Sequence, residues 1–350
     1  MQEVDAIIVG GGLAGIHLAL AMNRKGFNPL VVNRPDAHSS SRIAAGIINP
    51  ITGRRFALTW LYEKLEPAFL EVYEYWQNKW ESRFFGPKNI YRSVPDNKLV
   101  NDLDAKLTSP AFETYCRKMT EAEINESKSV VQFKTPGYVM KGYQLDTVAF
   151  LDQAIAYLTK KGQYMEADMD KKHYSLAQNK YEFKGYRTDK LIWATGAAIV
   201  EHPHFAWVKM NPNKGEILHL NTTPPHLDHI VKQSTFFVPL AQDEIWIGSY
   251  NSWNPRDKTP TKAGLDYLES RAKFLNKPYQ ITAHHAAIRP AVEDRRPVIG
   301  AHPDNPTLFL FNGFGSKGSS LIPYFAENLV EHITNQVEIC PEVSVSRYWS

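Results

Sequence analysis

Cysteine is nearly absent from this 350-residue chain: Cys116 and Cys340 are its two thiols, and they stand far apart. That scarcity argues against a disulfide framework and a cysteine-based metal centre, and it fits a reducing compartment. An excess of charge is missing as well, because 40 Lys and Arg against 37 Asp and Glu leave a net charge of +3. So small a balance gives thin support for nucleic-acid or membrane-surface binding. No apolar run approaches the length of a membrane span, and strand-like residues begin at Asp5, too near Met1 to leave room for a secretory leader. We therefore expect a cytoplasmic protein. Repeats and low-complexity tracts are also missing, so organisation must be read from shifts in pattern. What is abundant is apolar residues, 43% of a chain whose length suits two domains around a large core.

The opening stretch DAIIVGGGLAGIHLAL, residues 5–20, reads as a short buried strand, a tight turn and a helix. Gly10 allows the turn out of the strand, Gly12 admits a pyrophosphate close to the backbone, and Gly15 lets the helix pack on the strand. Phosphates then lie at the helix N-terminus, by Leu13 and Ala14, where unpaired N–H groups and the positive dipole end favour an anion. A second strand, Pro29 to Asn33, arrives after Gly26 as a helix stop. At its tip the expected acidic partner for ribose hydroxyls is missing, and VVNRPD offers Asn33, a weaker acceptor. Arg34 beside it suits a 2′-phosphate, which keeps an NADP-linked dehydrogenase open, although a solvated loop arginine is the simpler reading.

Beyond this unit comes the small-residue loop SSSRIAAGIINP and then an aromatic-rich helical stretch, Leu58 to Trp80. Residues 84–142 are irregular, with a short helix expected near Ser109 to Lys118. Helical order returns after Asp146, a good N-cap, with Val148, Leu151, Ile155 and Leu158 on one face and Gly162 as the stop. KLIWATGAA reads as a buried strand and turn; GEILHL, STFFVPL and EIWIGSYNSW read as strands, followed by a helical pattern from Ala263 to Leu275. TLFLFNG and the turn GFGSKGSS then lead into a final helix. The pattern alternates twice between α/β and sheet-rich segments. We accordingly expect a discontinuous nucleotide-binding domain, 1–83, 143–201 and 285–350, interleaved with a substrate domain, 84–142 and 202–284.

In their order, IIVGGGLAG, SSSRIAAGIINP, ATGA, FFVPL with IWIGS, IRPAVEDRRPVIG and GFGSKGSSLIP resemble the D-amino-acid-oxidase-like family of FAD-dependent oxidoreductases. That family includes glycine oxidase, sarcosine oxidase and the oxidoreductase half of the bifunctional tRNA 5-methylaminomethyl-2-thiouridine enzyme. The resemblance runs from residue 5 to about residue 333. It implies an α/β fold, in which a Rossmann-like FAD-binding domain is interleaved with an α+β substrate domain built on a large, mainly antiparallel sheet. It also implies oxidation of the C–N bond of a small amine or amino acid, with oxygen as one candidate electron acceptor.

Site residues follow from the resemblance. Ser41, Arg42, Ala45 and Gly46 of the small-residue loop and Thr195 and Gly196 of the ATGA turn join the opening glycines at FAD. Gly313, Gly315, Ser316, Gly318 and Ser319 are expected to deliver a second nest of amides to the isoalloxazine, with Lys317 adding a charge near flavin N1 and C2=O. Arg289, before a proline, occupies the family position for the substrate carboxylate, and its planar fork suits that ligand; the bland alternative is a salt bridge to Glu293 or Asp294. Where glycine oxidases carry a tyrosine, this chain has Phe236 or Phe237, and Tyr250 is the nearby substitute. Ile43 and the lack of a nearby cysteine stand where relatives attach flavin covalently, so non-covalent FAD is expected. No metal ligand set and no general base are assigned. His284 and His285 read as packing or surface. Arg54, Arg55, Lys214 and Lys317 outline a basic funnel, which leaves a tRNA-sized polyanion as an alternative substrate. A flavoprotein that binds without turnover is the remaining reading.

Overall fold

A computed structural model describes the chain except residues 54, 95, 170–173, 178, 179, 225, 226, 242, 254, 256 and 350. The run AIIV forms the strand Ala6–Val9, fully buried on both faces, at the centre of a six-stranded sheet. That sheet runs Tyr164–Glu166, Pro29–Asn33, Ala6–Val9, Leu191–Trp193, Asn305–Asn312, Val298–His302, all parallel except the last edge strand. Alternation divides it cleanly. Ile8, Val31, Ile192 and Phe309 point into a core with the helices Leu13–Arg24, Tyr62–Trp80, Thr147–Lys160 and Gly318–Asn335, while Ile7, Leu30, Leu191 and Leu308 face the opposite layer. Continuous apolar strands of this kind are what a sheet covered on both faces requires.

The helices follow local chemistry. Asp146 caps Thr147–Lys160 by accepting the Ala149 N–H at 2.9 Å. Of the expected face, Leu151 and Leu158 are buried and Ile155 packs against the same core, whereas Val148 is exposed and Phe150 and Ala154 complete the stripe. The aromatics of Tyr62–Trp80 do pack: Tyr62, Phe69, Tyr73 and Trp76 are buried. The helix expected over 109–118 is a single turn, Pro110–Glu113, followed by the strand Cys116–Lys118, and a longer helix lies ahead of it at Asn97–Leu107, capped by Asp96 and seated by Leu99, Val100, Leu103 and Leu107, a local signal that the reading of 84–142 as irregular passed over.

The second layer is an eight-stranded sheet ordered Tyr279–Arg289, Asn213–Thr222, Glu244–Trp253, Phe236–Ala241, Ile230–Lys232, Ile90–Ser93, Gly137–Met140, Cys116–Lys118, antiparallel but for one pair. The α/β class and the large, mainly antiparallel sheet are thus both present. The strand Tyr279–Arg289 stays in this sheet to its last residue. The expected division at 285 therefore falls within this strand.

Candidate active site

A cavity of about 1770 Å³ lies between the two sheets. It is larger than the ~300–1,000 Å³ of an ordinary small-molecule pocket, so a dinucleotide and a second ligand fit together. Gly10, Gly12, Leu13, Ala14, Asn33, Arg34 and Ser41 line it. Ala45, Gly46, Thr195 and Gly196, the late turn from Gly313 to Ser319, and Arg289 line it as well.

The glycine turn fits a dinucleotide. A Cβ on Gly10 would lie 2.5 Å from the Ala194 carbonyl oxygen, and one on Gly15 would lie 1.9 Å from the Gly10 oxygen. Gly15 therefore seats the helix on the strand and does not line the cavity, as its task required. The backbone N–H groups of Gly12 and Ala14 have no partner among the described residues, while the Leu13 N–H donates to Ser41 Oγ at 3.0 Å. Unpaired donors at a helix N-terminus are what a diphosphate satisfies.

Four expected roles change. Asn33 does not present its oxygen to a ribose: Oδ1 accepts the Gly11 N–H at 2.8 Å and Nδ2 donates to the Tyr164 hydroxyl at 2.9 Å. Arg42 turns away from the cavity to pair with Asp152 at 2.7 Å. In the late turn the Gly313 N–H goes to Asn312 Oδ1, that of Gly315 to the Pro290 carbonyl and that of Lys317 to the Phe314 carbonyl. The nest is therefore narrower than expected, and the N–H groups left without a partner among the described residues are those of Phe314, Ser316, Gly318 and Ser319. Tyr250 faces the other side of its strand, where it packs on Tyr267 at 5.4 Å.

The basic funnel is also rearranged. Arg54 lies outside the described residues, Arg55 is exposed, and Lys214 points to the outer face of the sheet, donating to the Thr259 carbonyl near Glu216. Arg34 is solvated, its side chain 74% exposed and 3.5 Å from Asp168. Lys317 does line the cavity, 3.5 Å from Thr52 Oγ1, beside Arg295 and Arg296. Burial and then those two guanidiniums lower its pKa. His284 pairs with the buried Glu216 at 3.0 Å on the outer face, and His285 sits between His38 and His219. Phe236 lines the cavity where Phe237 is core. Among the described residues no cluster of His, Cys, Asp or Glu is built to hold a metal, and no helix is long and apolar enough to cross a membrane.

Arg289 is the most informative group. Its Nη1 donates to Asn213 Oδ1 at 2.8 Å and to Asn251 Oδ1 at 2.6 Å, and Nη2 donates to Ser249 Oγ at 2.9 Å. Every one of these acceptors is neutral. Among the described residues no carboxylate pairs with it, since Asp294 binds Arg347 instead. Burial pulls the guanidinium down to about 10, which leaves it charged at neutral pH. Gly215 makes room for it, because a Cβ there would fall 2.2 Å from Nη2. The three acceptors and Gly215 had no signal in the sequence, being ordinary residues on two other strands that only sheet pairing brings to Arg289.

A family profile described as FAD dependent oxidoreductase (DAO) matches residues 5–332. The tRNA 5-methylaminomethyl-2-thiouridine biosynthesis bifunctional protein MnmC of Idiomarina loihiensis is 21% identical over 98% of this chain and 59% of its own length. Its counterpart in Caulobacter vibrioides is 24% identical over 93% of this chain and 54% of its own. The chain thus spans a little over half the length of these relatives. Among solved structures, glycine oxidase from Geobacillus kaustophilus superposes with a TM-score of 0.80 at 18% identity, covering 97% of this chain and 96% of that one. That likeness carries the fold.

Proposed function

Because the chain belongs to the DAO family of FAD-dependent oxidoreductases and takes FAD as its cofactor, we propose that it oxidises the C–N bond of a small amine or amino acid whose carboxylate Arg289 holds. The observation that carries this reading is a charged guanidinium at the cavity wall bonded only to neutral oxygens. A buried charge without a counter-ion is costly, and a substrate carboxylate offsets that cost with two parallel charge-assisted bonds. Three of the five guanidinium donors are engaged, which leaves Nε–H and one Nη2–H for the ligand.

When bound, FAD supplies the two-electron acceptor, held without a covalent bond. The chain's own residues bind and orient: the Gly12 and Ala14 amides take the diphosphate, Lys317 and the Ser316, Gly318 and Ser319 amides take negative charge at the other end, and Arg289 fixes the substrate. In this reading no side chain serves as general base, since orientation beside the acceptor is the main task. Oxygen is a candidate terminal acceptor, and the two free thiols fit a cytoplasmic setting.

A second reading is a larger aminomethyl substrate such as tRNA. It is favoured by relatives named for tRNA modification along nearly the whole chain, whereas the cavity's cations give it little, since Arg34 faces Asp168 and Lys258 pairs with Asp36. Anaerobic titration of the holoprotein with glycine, sarcosine, proline and D-amino acids, followed by flavin absorption, tests both. Bleaching by one amine, with the required concentration raised about a hundredfold in Arg289→Leu, supports the first. Flavin that survives every amine and bleaches with tRNA moves the assignment to the second.

A further inference from the structure

Arg92 and Lys232 are register partners on the adjacent parallel strands Ile90–Ser93 and Ile230–Lys232, and Phe236 on the next strand stands opposite Lys232. Residues paired in this way project from the same face of a sheet. That face is the one turned to the cavity. Ile90, Ile230, Val238 and Trp246 share a core on it with Phe56 and Phe236, while Tyr91, Val231, Phe237 and Ile247 pack on the other side. Phe236 and Trp246 line the cavity, and so does Gly53, whose carbonyl accepts from Arg92 Nη2 at 2.9 Å. In the order of the sheet Lys232 lies four strands from Arg289 and Arg92 five, about 20 Å away at the usual strand spacing.

Two half-buried cations side by side call for negative charge. Among the described residues none faces them. Lys232 makes no hydrogen bond or ion pair, and Arg92 has only the Gly53 carbonyl. The titratable neighbour of Arg92 on the edge strand is the Cys116 thiol, which burial pushes up to about 12 and so keeps neutral. Each cation rests on a ring instead: Lys232 Nζ is 4.2 Å from the centre of Phe236 and Arg92 Cζ 4.1 Å from that of Phe56. A ring face offsets only part of the cost of taking a charge out of water. Burial and then Arg92 accordingly bring Lys232 down to about 8. The ammonium keeps all its N–H donors for a ligand, and the guanidinium keeps four of its five.

We infer that Arg92 and Lys232 form an anion site beside the cavity wall, and that its ligand is a phosphate dianion, free or as a terminal monoester. Two positive charges match a dianion, whereas a carboxylate or an internal phosphodiester leaves one of them unbalanced. A guanidinium fork beside a point charge also suits several oxygens on one tetrahedral group. The site stands apart from Arg289 and does not depend on the substrate reading given above.

Isothermal titration of the holoprotein with inorganic phosphate tests this. Phosphate should bind saturably, and Lys232→Met and Arg92→Met should each weaken it about tenfold or more while flavin absorption is retained. Lys232→Arg should restore most of the affinity, and Arg289→Leu and Lys317→Met, which remove other cations of the cavity, should leave it unchanged. A second readout needs no variant. An anion beside Lys232 favours the charged amine, so binding at about pH 8.5 should take up a proton, seen as a heat that varies with the ionisation enthalpy of the buffer. Glycerol phosphate as a second titrant separates the sources: tighter binding than phosphate assigns the site to a monoester, and equal or weaker binding assigns it to free phosphate. Absence of saturable binding, undiminished affinity in both Met variants, or binding without proton uptake overturns the inference. Affinity lost in Lys317→Met or Arg289→Leu but kept in Lys232→Met overturns it as well, by placing the anion elsewhere.

Discussion

The amide of Asn33 joins the glycine turn to the edge of the sheet: Oδ1 accepts the Gly11 N–H at 2.8 Å while Nδ2 donates to the Tyr164 hydroxyl at 2.9 Å. A dinucleotide fold usually places a ribose-binding acid at this strand tip. Here the residue at that position shapes the turn, and an acid would lose the donor that Tyr164 receives.

Replacing Asn33 with Ala leaves the Gly11 N–H without its acceptor and frees the turn. The expected loss is about 1 kcal/mol, or roughly fivefold in FAD affinity, with the fold retained. Quenching of flavin fluorescence on titration into apoprotein measures it; equal affinities would show that the turn holds its shape without Asn33.

His17 is buried in the helix core, stacked on Phe150 at 4.6 Å and edge-on to Tyr73 at 5.4 Å. Burial pushes its pKa down to about 3 from 6.5. Between those values the unfolded chain binds a proton that the folded chain refuses, so stability is flat above pH 6.5 and falls as pH drops below it. At pH 5 the cost is about 2 kcal/mol. His17→Leu should shrink the drop in unfolding free energy between pH 7 and pH 5, read from urea titrations, by that amount, with His229, lowered to about 4 mainly by burial, retaining its own share. Identical drops in both proteins would remove His17 from the account.

Lys317 opens the helix Gly318–Asn335 and lines the cavity with Arg295 and Arg296 nearby. A cation there favours the reduced, negatively charged flavin. Lys317→Met should move the two-electron potential of the bound flavin about 30 mV more negative, which corresponds to about 1.4 kcal/mol. Spectroelectrochemical titration reads the shift directly, and an unmoved potential would mean that the amine serves the substrate side or solvent.

The glycine turn, the strand Pro29–Asn33 and the Asp146 cap were legible because each depends on neighbours within a few residues, where backbone sterics and local hydrogen bonds dominate. The order of motifs likewise carried the family, because that order runs the length of the chain, as the family match over residues 5–332 does. Tyr250 shows where such reading stops. A hydroxyl two residues before Ser252 looked available for the site, yet a one-position difference along a strand reverses its face, and register is set by pairing with a distant strand.

By itself, then, the sequence determined the dinucleotide-binding turn, the alternation of α/β with sheet segments, and an arginine before proline near the end of a long strand. Which groups surround that arginine was decided only by the tertiary structure. Asn213, Ser249 and Asn251 lie 76, 40 and 38 positions away and reach Arg289 only because three strands pair in one register. Local propensity acts over a turn of chain, whereas the charge environment of a site is set by whatever packing brings within a few ångströms.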